Sequence, residues 1–163
     1  MPKARRSAGI LLYRRRAGTL EVFLVHPGGP FWAKRDEGAW SIPKGEFPQD
    51  EDPLEAALRE FEEETGTSLA DRPRTDFTAL PPVRQGGGKT VYAWAVEGDL
   101  DAEGVRSNLF TMEWPPRSGV QREFPEVDRA AWYAIDAARV RLLAAQCPLL
   151  DALEALLGDR RGG

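Results

Sequence analysis

The sequence predicts an α/β fold, an α/β/α sandwich around a mixed central sheet. Short apolar runs of strand type lie on both sides of one acidic helix, Gly- and Pro-rich turns separate them, and amphipathic helical segments close the chain. A chain of 163 residues makes one ordinary domain, residues 1–163, with volume for a real core. Its ends, about residues 1–6 and 158–163, are polar or basic and are expected to be loose.

After the basic start, Ser7 to Tyr13 (SAGILLY) and Leu20 to Val25 (LEVFLV) are apolar, β-prone runs that read as two paired strands. RRRAGT between them reads as the turn, which places Arg14, Arg15 and Arg16 in solvent or against a phosphate. The stretch His26 to Ala39, HPGGPFWAKRDEGA, is too irregular for a strand or helix, and a long loop at such a place commonly carries recognition. Phe31 and Trp32 can stack a base there, while Lys34 and Arg35 can hold phosphate oxygens. His26 is the single histidine, so it has no partner for a zinc site and reads as a structural or partly exposed ring.

Trp40 to Lys44 reads as a short strand leading into the helix from Pro53 to Thr65. Asp52 suits the N-cap, Pro53 the first helical position and Glu55 a capping-box spacing, while Gly66 supplies the left-handed stop. At about 100° per residue, Glu60, Glu63 and Glu64 share one face, Leu54, Ala57, Leu58 and Phe61 form a second that can be buried, and Glu55, Arg59 and Glu62 take the rest. Carboxylates grouped in this way repel one another, by a few tenths of a kcal/mol per pair on an isolated helix. A divalent cation between them relieves that cost, and hard oxygen donors suit Mg2+.

Beyond the helix, Thr75 to Leu80 and Val83 to Arg84 are β-like around Pro81-Pro82, and Gly86 to Gly88 form a turn. Lys89 to Val96 is a clear strand with Tyr92 and Trp94 on one face, where sheet packing is the default and base stacking the alternative. Asp99 to Gly104 reads as a loop, Ser107 to Trp114 as a further strand, and PPRSG as a loop carrying Arg117. Arg122 to Asp136 contains a strand bearing Trp132. Asp136 to Ala145 and Pro148 to Leu157 are amphipathic helical segments, split where Cys147-Pro148 ends or kinks the helix.

Gly45, Glu51, Arg59, Glu60, Phe61, Glu63, Glu64 and Gly66 together resemble, position by position, the signature of the Nudix hydrolase family. The departure is Thr67, where that family usually has a larger aliphatic residue. The resemblance implies a Nudix-type sandwich that hydrolyses a nucleoside diphosphate linked to another group, with Mg2+ as cofactor and Mn2+ as a substitute. It further implies that Glu60, Glu63 and Glu64 bind metal, together with the backbone carbonyl of Lys44, whose ammonium can also meet a phosphate. Glu51 and Arg59 would form a supporting pair. In that family a glutamate ahead of a tryptophan-bearing strand often reaches the metals. Glu126, six residues before Trp132, is the choice here, and Glu123 the reserve. Either Glu60 or Glu126 would assist the attacking water.

PKGE beside Trp40, the basic aromatic loop with Trp32, Lys34 and Arg35, and FPEVDRAAW look most like a bacterial branch acting on nucleoside triphosphates or dinucleoside polyphosphates. Pro81-Pro82 lies about where ADP-ribose-cleaving members carry a proline, although turn chemistry explains it equally well. A regulatory module that binds a nucleotide without cleaving it is the alternative of another class, and the intact glutamates weigh against it.

A net charge of −4 leaves no general footprint for DNA or RNA, so the expected partner is a small nucleotide. The lone Cys147 cannot form an intramolecular disulfide, and no apolar run approaches membrane-spanning length. Both features point to a soluble protein of the reducing cytoplasm.

Overall fold

The computed structural model describes residues 5–161. Its strands, in chain order, are β1 (Arg5–Arg16), β2 (Thr19–Pro27), β3 (Lys44–Glu46), β4 (Thr78–Ala79), β5 (Val83–Gln85), β6 (Lys89–Glu97), β7 (Leu109–Glu113), β8 (Gln121–Pro125) and β9 (Val127–Ala134). The helices are α1 (Pro53–Thr65), α2 (Ile135–Arg141) and α3 (Cys147–Arg161).

β1 is the hub. It pairs in parallel with β6 along one edge, from Arg5 opposite Lys89 to Tyr13 opposite Glu97. Its other edge is divided: Ser7 to Gly9 take β3, and Tyr13 to Arg16 take β2, both antiparallel. β9 adds to β2, while β4 and β5 both add to β6, which completes a mixed sheet of seven strands among the described residues. β7 and β8 form a separate two-stranded ribbon.

The period-two pattern of the strands separates two cores. Ala8, Ile10, Leu12, Phe23 and Val25 point to one face, where α1 covers them with Ala57, Leu58 and Phe61. Leu11, Tyr13, Val22 and Leu24 point to the other face and meet Leu142, Leu149, Leu150 and Leu153 from the C-terminal helical region. Tyr92 and Trp94 pack on the α1 side. The sandwich is therefore built by alternation in β1, β2 and β6.

Several boundaries differ from the sequence reading, each for a local reason. The β1–β2 turn is Ala17-Gly18, with φ of 51° and 82°, the positive values that a tight two-residue hairpin requires. Arg14, Arg15 and Arg16 therefore continue β1 and are not turn residues. Arg14 pairs with Glu21 at 2.8 Å and Asp99 at 2.7 Å, and its guanidinium lies 4.1 Å from the centre of the Trp132 ring. Arg5 and Arg6, expected in a loose start, open β1, and Arg5 pairs with Glu46 at 2.7 Å. At the other end α3 runs past Gly158 to Arg161. The remainder of the expected loose ends, residues 1–4 and 162–163, lies outside the described residues.

Trp40 to Lys44 makes single bridges, Val25 with Ser41 and Trp40 with Leu142, and the ladder begins only at Lys44. The stretch from Thr75 begins inside a 3₁₀ turn, Arg74–Asp76. The C-terminal break falls at Leu142, which is extended with ψ of 145°, because the Leu143 amide donates to the Trp40 carbonyl at 2.8 Å. Pro148 instead sits in the first turn of α3, where its missing N–H costs nothing. Buried Gln146 ties this corner to the strand entering the site. Its Nε2 donates to Ser41 Oγ at 3.0 Å, and its Oε1 accepts from the Ile42 amide at 3.0 Å.

Candidate active site

The ends of α1 fix its rotation. Asp52 accepts from the Glu55 amide at 3.1 Å, Pro53 opens the helix, and Gly66 ends it at φ 78°, with its amide donating to the Glu62 carbonyl at 2.8 Å. Glu55 does not return to Asp52. Its carboxylate takes a two-pronged contact from Arg74, 2.6 Å and 2.9 Å, which moors the helix start to the 3₁₀ turn.

So anchored, α1 turns Glu60 and Glu64 toward β3. Glu60 is only 8% exposed, and it is there because residue 45 has no side chain. A Cβ on Gly45 would lie 2.0 Å from Glu60 Oε2 and 2.6 Å from Oε1. The amide of Lys44 donates to Glu64 Oε1 at 3.1 Å. Arg59 gathers the other acids. Its Nε and Nη2 fork onto both oxygens of Glu51 at 3.1 Å and 2.9 Å, and its Nη1 reaches Glu60 at 2.9 Å and Glu63 at 3.1 Å.

The charges respond accordingly. Hydrogen bonding from Arg59 holds the Glu51 carboxyl below its usual range. Burial pushes Glu64 up to about 8. Burial, then the Glu63 charge, raises both Glu60 and Glu126. Burial also lowers the Lys44 ammonium, with Lys89 adding to it. Several carboxylates are thus held where ionisation is costly, the expected condition of oxygen donors awaiting positive charge.

Among the described residues no three acidic, histidine or cysteine side chains converge as a finished ligand set. The guanidinium of Arg59 spans Glu60 and Glu63. The donor chemistry itself, hard carboxylate oxygens whose desolvation outweighs the help of Arg59, fits Mg2+.

Glu126 reaches this region through backbone bonds that carry no sequence signature. Its amide donates to the Asn108 carbonyl and its carbonyl accepts from Gly28, both at 2.9 Å. The Asn108 amide in turn donates to the Glu63 carbonyl at 2.9 Å, which joins the loop directly to α1. Ser107 Oγ accepts from the Val127 amide at 3.0 Å and steadies the start of β9. A cavity of about 190 Å3 results, with Trp32, Ser41, Lys44, Glu64, Glu126 and Leu143 in its wall. Glu123, by contrast, is exposed on the β7–β8 ribbon, opposite Thr111.

The long loop divides its residues. Trp32 lines the carboxylate cavity, whereas Lys34 and Arg35 line a different groove with Arg129, Tyr133 and Arg141. Phe31 is in neither and meets Trp114 edge-on at 5.4 Å. His26, expected as a structural or partly exposed ring, is fully buried: Nδ1 lies 2.8 Å from Asp128 and Nε2 2.6 Å from the Arg35 carbonyl. It fastens the loop to β9. Asp128, Asn108, Ser107 and Gln146 escaped the sequence reading because no spacing marks them. Arg129 and Tyr133 carried a signal, since period two puts them on one face of β9.

Fold and cleft together define an α/β/α sandwich with a carboxylate-lined site at the end of its central sheet. The chain belongs to the Nudix family, whose NUDIX domain it matches over residues 3–152. It is 39% identical over 69 residues to an RNA pyrophosphohydrolase of Gluconacetobacter diazotrophicus. That match spans 40% of this chain and 39% of that protein.

The fold is similar to that of a C. elegans Ap4A hydrolase binary complex, with a TM-score of 0.64 and 22% identity over 95% of this chain and 98% of that one. It is also similar to the NUDIX domain of Shewanella oneidensis NrtR complexed with ADP ribose, with a TM-score of 0.64 and 17% identity over 96% and 90% of the two chains. Among the described residues no helix is long and apolar enough to cross a membrane.

Proposed function

We propose that this chain, residues 1–163 acting as one domain, is a Mg2+-dependent hydrolase of a diphosphate linkage in a nucleotide, with Mn2+ as a substitute cofactor. The observation that carries the reading is the gathering of buried Glu60 and half-buried Glu64 beside Glu63 and Glu126, where desolvation raises Glu60, Glu64 and Glu126 even though Arg59 pairs with Glu60 and Glu63. Glu60, Glu63, Glu64, Glu126 and the Lys44 carbonyl are the oxygens assigned to the metal. Bound there, Mg2+ would screen the phosphate oxygens and lower the pKa of a water.

The chain's own groups do the rest. Arg59 holds Glu51 and keeps α1 fixed to the loop before it. Trp32 supplies an aromatic wall and Lys44 a cation for the phosphate. Glu126 or Glu60 takes the proton of the attacking water on a carboxylate oxygen, since a carboxyl raised toward neutrality is the better base. For the substrate we favour a nucleoside triphosphate or dinucleoside polyphosphate, in line with the Ap4A hydrolase and RNA pyrophosphohydrolase relatives. ADP-ribose or a nucleotide sugar is the second reading, favoured by the ADP-ribose-bound neighbour. The lone cysteine agrees with a place in the reducing cytoplasm.

The test incubates the protein and Mg2+ with nucleoside triphosphates, diadenosine polyphosphates, ADP-ribose and NADH, and identifies the products. Turnover of a diphosphate-linked compound is expected, with loss of about 10²-fold or more in Glu64→Gln and Glu126→Gln. Binding without turnover of any of them would favour a nucleotide-sensing module instead. Full activity of Glu63→Gln at saturating Mg2+ would remove Glu63 from the ligand set.

A further inference from the structure

On the flank of β9 that carries Arg129 and Tyr133 lies a second groove, of about 470 Å3, separated from the carboxylate cavity by the loop that bears Trp32 and Arg35. Its volume falls within the range of small-molecule sites, roughly 300–1,000 Å3. Its charge is opposite to that of the cavity. The wall contains four cations, Lys34, Arg35, Arg129 and Arg141, against one carboxylate, Asp36. Asp36 is already engaged by Arg141 at 3.0 Å and by the Trp40 indole N–H at 2.8 Å. Among the described residues Lys34, Arg35 and Arg129 make no ion pair with a carboxylate. In a chain of net charge −4, that is a local excess facing one concavity.

The aromatic rings of this groove are covered. Arg129 lies over Trp40 at 5.5 Å from the ring centre, and Arg141 lies over Tyr133 at 4.8 Å. Rings so capped do not offer a face for a base. What the groove offers is guanidinium groups placed over those rings, with the planar fork of N–H donors that suits phosphate oxygens. The Arg35 guanidinium lies in the same way over Trp32 at 5.5 Å, on the wall shared with the carboxylate cavity. His26 pins that wall through the Arg35 carbonyl.

We propose that this groove is an anionic subsite that binds a phosphate carried by the part of the substrate beyond the cleaved linkage. The assignment rests on the hydrolase reading above. It selects substrates long enough to cross the Trp32–Arg35 wall, and two sources supply such a phosphate: the far end of a dinucleoside polyphosphate, or the first internucleotide phosphates of a 5′-triphosphorylated oligonucleotide.

The test has a binding arm and a kinetic arm. Inorganic tripolyphosphate is titrated without divalent ions, and backbone amide NMR shifts are followed at Lys34 to Asp36 and Arg129 to Tyr133, in the parent and in Arg129→Glu. Shifts in the parent that vanish in the variant are expected, and no shift in the parent overturns the subsite. In the second arm KM is measured for ATP, diadenosine tetraphosphate and a 5′-triphosphorylated tetranucleotide, in the parent, Arg129→Gln and Arg129→Glu.

A rise of about tenfold in KM with kcat held is expected for one of the two long substrates but not for ATP, the size of one lost charge-assisted hydrogen bond. The substrate that responds identifies the source. Unchanged KM for both long substrates overturns the subsite and leaves the hydrolase reading intact. If no compound is turned over, the hydrolase reading fails, and the groove stands or falls on the tripolyphosphate shifts.

Discussion

At the scale of single residues, the site depends on one missing side chain and one carboxyl that burial keeps protonated. Gly45 makes room for the Glu60 carboxylate, and Glu64 is held neutral by burial up to about pH 8. The second fact has a thermodynamic sign. In the unfolded chain Glu64 loses its proton near the ordinary value of about 4.3. The folded chain keeps it longer, so the stability tied to this group is fully present below the unfolded value and is lost as pH rises through the folded one.

In EDTA, the melting temperature should therefore fall between about pH 5 and 8, more steeply than in Glu64→Gln. Equal slopes in the two proteins would show that Glu64 titrates normally. The motif acids were legible in the sequence because their geometry is local to one helix. The sequence groups Lys34 and Arg35 with Trp32, because a loop's sequence does not say which way successive side chains point. The structure sends Trp32 to one cavity and both cations to another.

At the scale of elements, α1 is a helix whose two ends were both readable, and its range coincides with Pro53–Thr65. Caps are short-range chemistry, so sequence alone suffices for them. Gly66 holds a left-handed conformation, and a Cβ there would lie 2.9 Å from the Arg106 carbonyl. Gly66→Ala is expected to cost about 1–2 kcal/mol from the conformation alone, read from urea unfolding, and a loss below a few tenths would contradict the strained cap. Where the deciding contact was distant, the sequence misled. The β1–β2 turn tightened onto Ala17-Gly18, and Arg14 stays in the strand with Glu21, Asp99 and Trp132 as partners. The C-terminal break moved from Pro148 to Leu142 because the next amide bonds to Trp40, about a hundred residues earlier in the chain.

At the scale of the whole molecule, the α/β/α sandwich and its mixed sheet followed from alternation and turn spacing. The pairing order did not, because the parallel match of β1 with β6 joins segments about eighty residues apart. Glu126 arrived at the site by the same kind of long connection, through Asn108 and Gly28. The divided edge of β1 has a consequence of its own. Among the described residues β2 and β3 share that strand but form no ladder with each other, and the backbone bonds across the gap are Ile10 to Pro43 and the reciprocal pair of Val25 and Ser41. Isolated bridges of this kind open more readily than ladders. In deuterium exchange, the amides of Ile10, Val25 and Ser41 should therefore label faster than the β1–β6 ladder in the free protein, and Mg2+ with an uncleavable nucleotide should slow them selectively. The seam in the sheet would then act as the molecule's own reporter of an occupied site.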